Sequence, residues 1–280
     1  MKHRQDRLQG PEQRSIYCQY WEPEVVPKAL LLLVHGAGEH SGRYLHLAAF
    51  FTEHDIAVAA LDHNGHGQSS GTPGHVGSFD VYLEDLEQFY NHIAQQFAGV
   101  PLFLLGHSLG GLISCHYLLQ RQDSFVGCVL SGPLIMSELQ PGWVQMMAIR
   151  LLARVSPQLG LKQLDASGVS RDPEQVKKYV ADPLVFHGKA SARMVGELFA
   201  SMAAMQARVA SIKLPILILH GGADVMTSPD GSRYLYEHIR SKDKTLKIYP
   251  GLYHEIFNEP EQLDVLAQTL GWCEARLPPC

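Results

Sequence analysis

The chain has 280 residues, 46% hydrophobic and 18% charged, enough apolar material for one large α/β core with an insertion. Its formal net charge of −5 argues against a nucleic-acid binder, which would carry a basic patch or stripe. Five scattered cysteines (Cys18, Cys115, Cys128, Cys273, Cys280) show neither zinc spacing nor a disulfide framework, and no run is apolar enough for a secretory core or a membrane span. The expectation is therefore a cytoplasmic protein.

Residues 15–21 alternate Ile16, Cys18 and Tyr20 against Tyr17, Gln19 and Trp21, as a strand does, and Pro23 and Pro27 end the pattern. Residues 29–34 are continuously apolar, as expected of a strand buried on both faces, and run into the Gly-rich loop 35–43. A helix is predicted over 44–54, then a second buried strand over 56–61 and a second polar loop over 62–69. Over 78–97 the period becomes helical, with Phe79, Tyr82, Leu86, Phe89 and Ile93 on one stripe and Ser78 placed to cap it.

The next apolar run, Leu102 to Leu105, leads into Gly106-His107-Ser108-Leu109-Gly110 and then into a helical pattern through Leu112, Ile113, His116 and Leu119. A G-x-S-x-G between a buried strand and a helix is the setting of a nucleophile elbow, in which a tight turn exposes the serine hydroxyl. A further strand is predicted over 125–131. Strands alternating with helices indicate a mainly parallel sheet, and ligands gather at the carboxyl ends of such strands. The loops at His35, Asp62 and Ser108 should therefore meet in space.

The alternation lapses over 133–212, where helical segments punctuated by prolines read as a cap inserted between core segments 1–132 and 213–280. Residues 143–152 are apolar nearly all round, and Met194, Met202 and Met205 recur at helical spacing over 192–209. Strand character returns at 214–219 and 246–249, and a last helix is predicted over 260–274.

A serine nucleophile needs a base, and the base an orienting carboxylate, here in the order Ser, acid, His. Asp224 follows the strand ending at Leu219, and His254 follows the strand ending at Tyr249. The rival acids Asp230, Glu237, Asp243 and Glu255 do not directly terminate an apolar strand. Among the other late histidines, His220 reads as a structural residue at a strand end, and His187 and His238 as solvated. Oxyanion donors are expected from the backbone N–H of Leu109, after the nucleophile, and of Ala37, in the loop after the first buried strand. The histidine pair His63 and His66 sits in a Gly-rich loop with no ligand cluster nearby, so loop hydrogen bonding is expected, with no metal and no cofactor.

Four stretches together are more specific than the elbow: residues 35–44 (HGAGEHSGRY), 62–69 (DHNGHGQS), 106–111 (GHSLGG) and 243–249 (DKTLKIY). With them the chain resembles, over nearly its whole length, the monoacylglycerol lipases, serine hydrolases of the α/β-hydrolase superfamily. The resemblance implies an α/β-hydrolase fold, a mainly parallel sheet flanked by helices with an inserted helical cap. It also implies cleavage of a monoacylglycerol to glycerol and fatty acid. The family's triad falls on Ser108, Asp224 and His254 and its oxyanion donors on Ala37 and Leu109. It further implies glycerol contacts near Glu39 and Arg43 and a cap tyrosine, matched by Tyr179. Glu39 and Arg43 equally suit a structural ion pair holding the loop, and both roles stay open. Mammalian members carry a cysteine three residues after the triad acid, where this chain has Thr227.

A long acyl chain gains about 0.8 kcal/mol per buried CH₂, and Met146, Met147, Met194, Met202 and Met205 are candidate linings for its tunnel. The 143–152 face is a candidate for transient contact with a lipid surface. Competing readings are a broader carboxylesterase or lysophospholipase with the same triad, and a non-catalytic α/β-hydrolase binding protein.

Overall fold

The computed structural model describes residues 1–139 and 141–278, so Cys280 lies outside the described residues. In chain order the elements of the first half are β1 (Lys2–Gln9), β2 (Ser15–Glu22), β3 (Ala29–Val34), α1 (Leu45–Glu53), β4 (Ile56–Leu61), α2 (Asp80–Gln96), β5 (Leu102–His107), α3 (Leu109–Arg121) and β6 (Gly127–Ser131). There follow α4 (Trp143–Val155), β7 (Gly160–Gln163), α5 (Pro173–Ala181), β8 (Lys189–Ser191), α6 (Ala192–Arg208), β9 (Ile216–Gly221), α7 (Pro229–His238), β10 (Lys244–Tyr249) and α8 (Gln262–Glu274).

Eight strands form one sheet in the order β1-β2-β4-β3-β5-β6-β9-β10. From β4 to β10 neighbours run parallel, and β2 and β1 close one end antiparallel. This is the α/β-hydrolase architecture. The continuous apolar runs follow from burial on both faces: Leu30, Leu32 and Val34 of β3 face α2 and α3, while Leu31 and Leu33 face α1 and α8. Aligned register, Leu33 opposite Leu105 opposite Val129 opposite Leu217, brings the carboxyl ends of the central strands together. Ser78 sits just before α2, where its hydroxyl accepts the Asp80 N–H at 3.3 Å.

Two parts differ from the sequence reading. The polar lead-in contains β1, paired residue for residue with β2 from Lys2↔Glu22 to Gln9↔Ser15. An edge strand exposed along most of its length has no buried face to impose an apolar alternation, so its sequence carries no strand signal. Between β6 and β9 the chain leaves the sheet for α4, α5 and α6, but also forms a small antiparallel pair, β7 with β8. Among the described residues no helix is long and apolar enough to cross a membrane.

Candidate active site

Ser108 occupies the corner between β5 and α3 with φ 54° and ψ −118°, a backbone region costly for any residue with a side chain. The corner closes because its flanking residues are glycines. A Cβ at Gly110 would collide with the Val34 carbonyl oxygen, and one at Gly106 would lie 2.6 Å from the Gly110 carbonyl oxygen. The Ser108 N–H donates to Ser131 O at 2.9 Å, and its carbonyl accepts from Gly111 at 2.9 Å and Leu134 at 3.0 Å. The backbone is thus held from both sides while the side chain lines a cavity of about 470 Å³.

Asp224 follows β9 and is buried. Its Oδ1 accepts the N–H groups of Met226 at 2.7 Å and Thr227 at 3.0 Å. Its Oδ2 accepts His254 Nδ1–H at 2.6 Å, the Thr227 hydroxyl at 2.9 Å and lies 3.1 Å from His220 Nε2. Burial opposes the charged carboxylate, but His254 and His220 outweigh it, so the group is held well below the usual carboxylate range. His254, in the loop after β10, is likewise buried; desolvation, the largest single effect, pulls its pKa down, but Asp224 together with Glu255 and Glu39 pulls it up, and the net direction is upward. With Nδ1 carrying the proton toward Asp224, Nε2 is the basic nitrogen, and His254 shares the cavity wall with Ser108. The bonds of His254 Nδ1 run to Asp224 and Thr227; among the described residues none joins His254 to Ser108, a link that in free enzymes often tightens only with substrate.

The Ala37 N–H, on the cavity wall, and the Leu109 N–H, in the first turn of α3, donate to no backbone carbonyl among the described residues. Glu39 and Arg43 are both nearly buried and form an ion pair at 2.8 Å. The ring of Tyr179, from α5, covers the Arg43 guanidinium at 4.6 Å and lines the cavity. Among the described residues His63 and His66 belong to no cluster of three metal-ligating side chains. The His63 N–H donates to His35 Nε2 at 3.0 Å, and His66 Nδ1 is bonded to Asn64 O at 3.0 Å.

Of the five candidate methionines, Met194 and Met202 line the cavity, as does Met226, which was not among the candidates. Met205 is buried in the core under α6, and Met147 points outward on α4. The reason is the placement of α4: it packs along α6, buries only Ala153 fully, and none of its described residues lines the cavity.

Three contributors were not assigned to the site from sequence. His220, read as structural, touches the Asp224 carboxylate. Thr227, noted only as a departure from the family, bonds the same oxygen. Glu255, weighed only as a rival acid, takes Arg43 through both oxygens at 2.6 and 2.7 Å. Its position next to His254 was the one available signal. Arg43 holds Glu255 low despite burial, whereas at Glu39 burial, with Glu255 nearby, outweighs Arg43 and moves its pKa up.

Residues 26–261 match the family model described as serine aminopeptidase, S33. The chain is 38% identical over 257 residues to a monoacylglycerol lipase of Mycolicibacterium smegmatis, covering 92% of both chains. It is 38% identical over 273 residues to monoglyceride lipase of Rattus norvegicus, covering 96% of this chain and 90% of that one. The chain belongs to the monoacylglycerol lipase family of α/β-hydrolases. The crystal structure of Paleococcus ferrophilus monoacylglycerol lipase superposes with a TM-score of 0.82 at 34% identity, covering 93% of this chain and 99% of that one. As a member of this lipase family the protein is a hydrolase, and the site at Ser108 lies where the fold gathers its carboxyl-end loops.

Proposed function

We propose that the protein hydrolyses monoacylglycerols to glycerol and free fatty acid through an acyl-enzyme on Ser108. The observation that carries this reading is the His254–Asp224 pair at 2.6 Å opening, with a strained Ser108, into one cavity whose α6 wall is formed by Met194, Leu198, Phe199 and Met202. His254 Nε2 takes the hydroxyl proton as Ser108 Oγ attacks the ester carbonyl carbon. The oxygen charge that develops is met by the Ala37 and Leu109 N–H groups. His254 returns the proton to the departing glycerol oxygen, and the acyl–Oγ bond is then cleaved by water along the same route.

In this reading residues 133–212 cap a core formed by 1–132 and 213–280, and each acyl CH₂ buried against α6 contributes about 0.8 kcal/mol. The cytoplasmic setting expected from the cysteine pattern is part of the same proposal. So is transient contact with a lipid surface through α4, where Trp143 is 81% exposed and Met147, Leu151 and Val155 are exposed beside Arg150 and Arg154. Wild type should partition onto anionic vesicles more strongly than Trp143→Ser in a sedimentation assay; equal partition removes the support for this contact.

The test of function is a hydrolysis panel of monoacylglycerols against di- and triacylglycerols, lysophospholipids and p-nitrophenyl esters, with fluorophosphonate labelling of Ser108. The highest kcat/KM is expected on monoacylglycerols. A preference for lysophospholipids or simple esters would move the reading to a broader esterase, and an inert Ser108 to a binding protein.

A further inference from the structure

We propose that Arg43, with the two carboxylates it joins, Glu39 and Glu255, is a clamp locking the oxyanion loop against the histidine loop, so that these are positioning residues rather than ligands of the glycerol leaving group. The inference rests on the acyl-enzyme reading above and deepens it.

Each end of the clamp lies beside a reacting group. Glu39 Oε1 accepts the Gly36 N–H at 2.6 Å, fixing the His35–Gly36 peptide, one unit before the one that carries the Ala37 N–H, and accepts the Tyr44 hydroxyl at 2.6 Å. Glu39 Oε2 takes Arg43 at 2.8 Å. From the same guanidinium two bonds, 2.6 and 2.7 Å, cross to Glu255, the residue after the proposed base. Glu255 is itself anchored: Asn258 donates to its Oε2 at 2.8 Å, and its backbone N–H donates to Val169 O at 2.8 Å. A planar guanidinium with forked donors is the side chain suited to hold two carboxylates in fixed geometry.

The same bonds leave little for a diol. Each of the four carboxylate oxygens already accepts a bond, and Glu39 Oε1 and Glu255 Oε2 each accept two. Arg43 spends one nitrogen on both carboxylates and its second on Glu255, with the Tyr179 ring over its face. A glycerol hydroxyl would find only the second lone pair of Glu39 Oε2 and of Glu255 Oε1 and the Arg43 N–H groups outside these bonds, because the short charge-assisted bonds are already made within the chain. The two loops the clamp joins are 212 residues apart in sequence, and the distance between their reacting groups sets the rate.

Glu39→Gln, Glu255→Gln and Tyr44→Phe would be compared with wild type on a short-chain monoacylglycerol and on the p-nitrophenyl ester of the same acid. The two substrates form the same acyl-enzyme, but only the first has a glycerol. A clamp predicts that kcat falls about 10- to 100-fold on both substrates for the Gln variants, and less for Tyr44→Phe, with KM within about threefold. Fluorophosphonate should then label Ser108 more slowly in parallel, normalised to folded protein by circular dichroism. A rise in KM confined to the monoacylglycerol, with ester turnover and labelling unchanged, overturns the clamp in favour of glycerol ligation. If wild type cleaves the nitrophenyl ester but not the monoacylglycerol, the substrate reading fails while the clamp is still decided by the ester and the labelling rate.

Discussion

Replacing Ser108 with glycine is expected to abolish turnover and at the same time raise the melting temperature. The proposed nucleophile sits at φ 54°, ψ −118°, where a Cβ is strained and glycine is not. The gain is about 1 kcal/mol, net of glycine's own entropic cost, or about 2–4 °C for a chain of this size. Ser108→Ala keeps the Cβ and therefore the strain, so it should lose activity, by about a millionfold in kcat, without the gain in stability. Differential scanning calorimetry of the three proteins checks the pair of outcomes. Equal melting temperatures for the glycine and alanine variants would show that the corner stores no strain, and retained hydrolysis in either would remove Ser108 from the mechanism.

Asp224→Asn is expected to lower kcat about 10⁴-fold and to shift the pH dependence of whatever activity remains. The carboxylate holds the His254 proton on Nδ1; an asparagine amide that donates to Nδ1 would force the proton onto Nε2 and silence the base. The sign of the pH effect follows from what raises the histidine. Burial alone would push His254 below its ordinary value, and Asp224, the main charge acting on it, lifts it above with help from Glu255 and Glu39. Only neutral His254 accepts the serine proton, so in wild type kcat/KM should rise with pH through a midpoint above about 6.5, the ordinary histidine value. Removing the Asp224 charge moves that midpoint down. A pH–rate profile of the two proteins on one soluble ester tests this. An unmoved acid limb would mean that another group governs it.

Both effects depend on neighbours of differing legibility. The elbow could be read from the sequence because its parts are contiguous: a buried strand, two glycines forced by close backbone approach, and a helix. Asp224 and His254 could be read as candidates because each lies in the loop that follows a strand, where a parallel sheet gathers its ligand-binding loops. His220 and Thr227 flank Asp224 in sequence, yet nothing in their spacing shows that both turn toward one carboxylate oxygen. Residues 143–152 were legible as a helix but not in their orientation, since a segment apolar nearly all round gives no preferred face. Without that face, Met146 and Met147 could not be separated from Met194 and Met202 as cavity lining.

The sequence by itself determined the strands β3 to β6 and β9, the placement of Ser108, Asp224 and His254 in the loops after β5, β9 and β10, and the membership in a lipase family. These rest on local pattern: burial on both faces writes a continuous apolar run, and a tight turn writes its glycines. The tertiary structure alone decided that β1 exists as an edge strand, that α4 lies away from the cavity, and that Arg43 joins Glu39 to Glu255. Each depends on which surfaces meet after the chain has folded. An exposed edge, an all-round apolar helix and an ion pair spanning 212 residues leave no periodicity in the sequence to announce them.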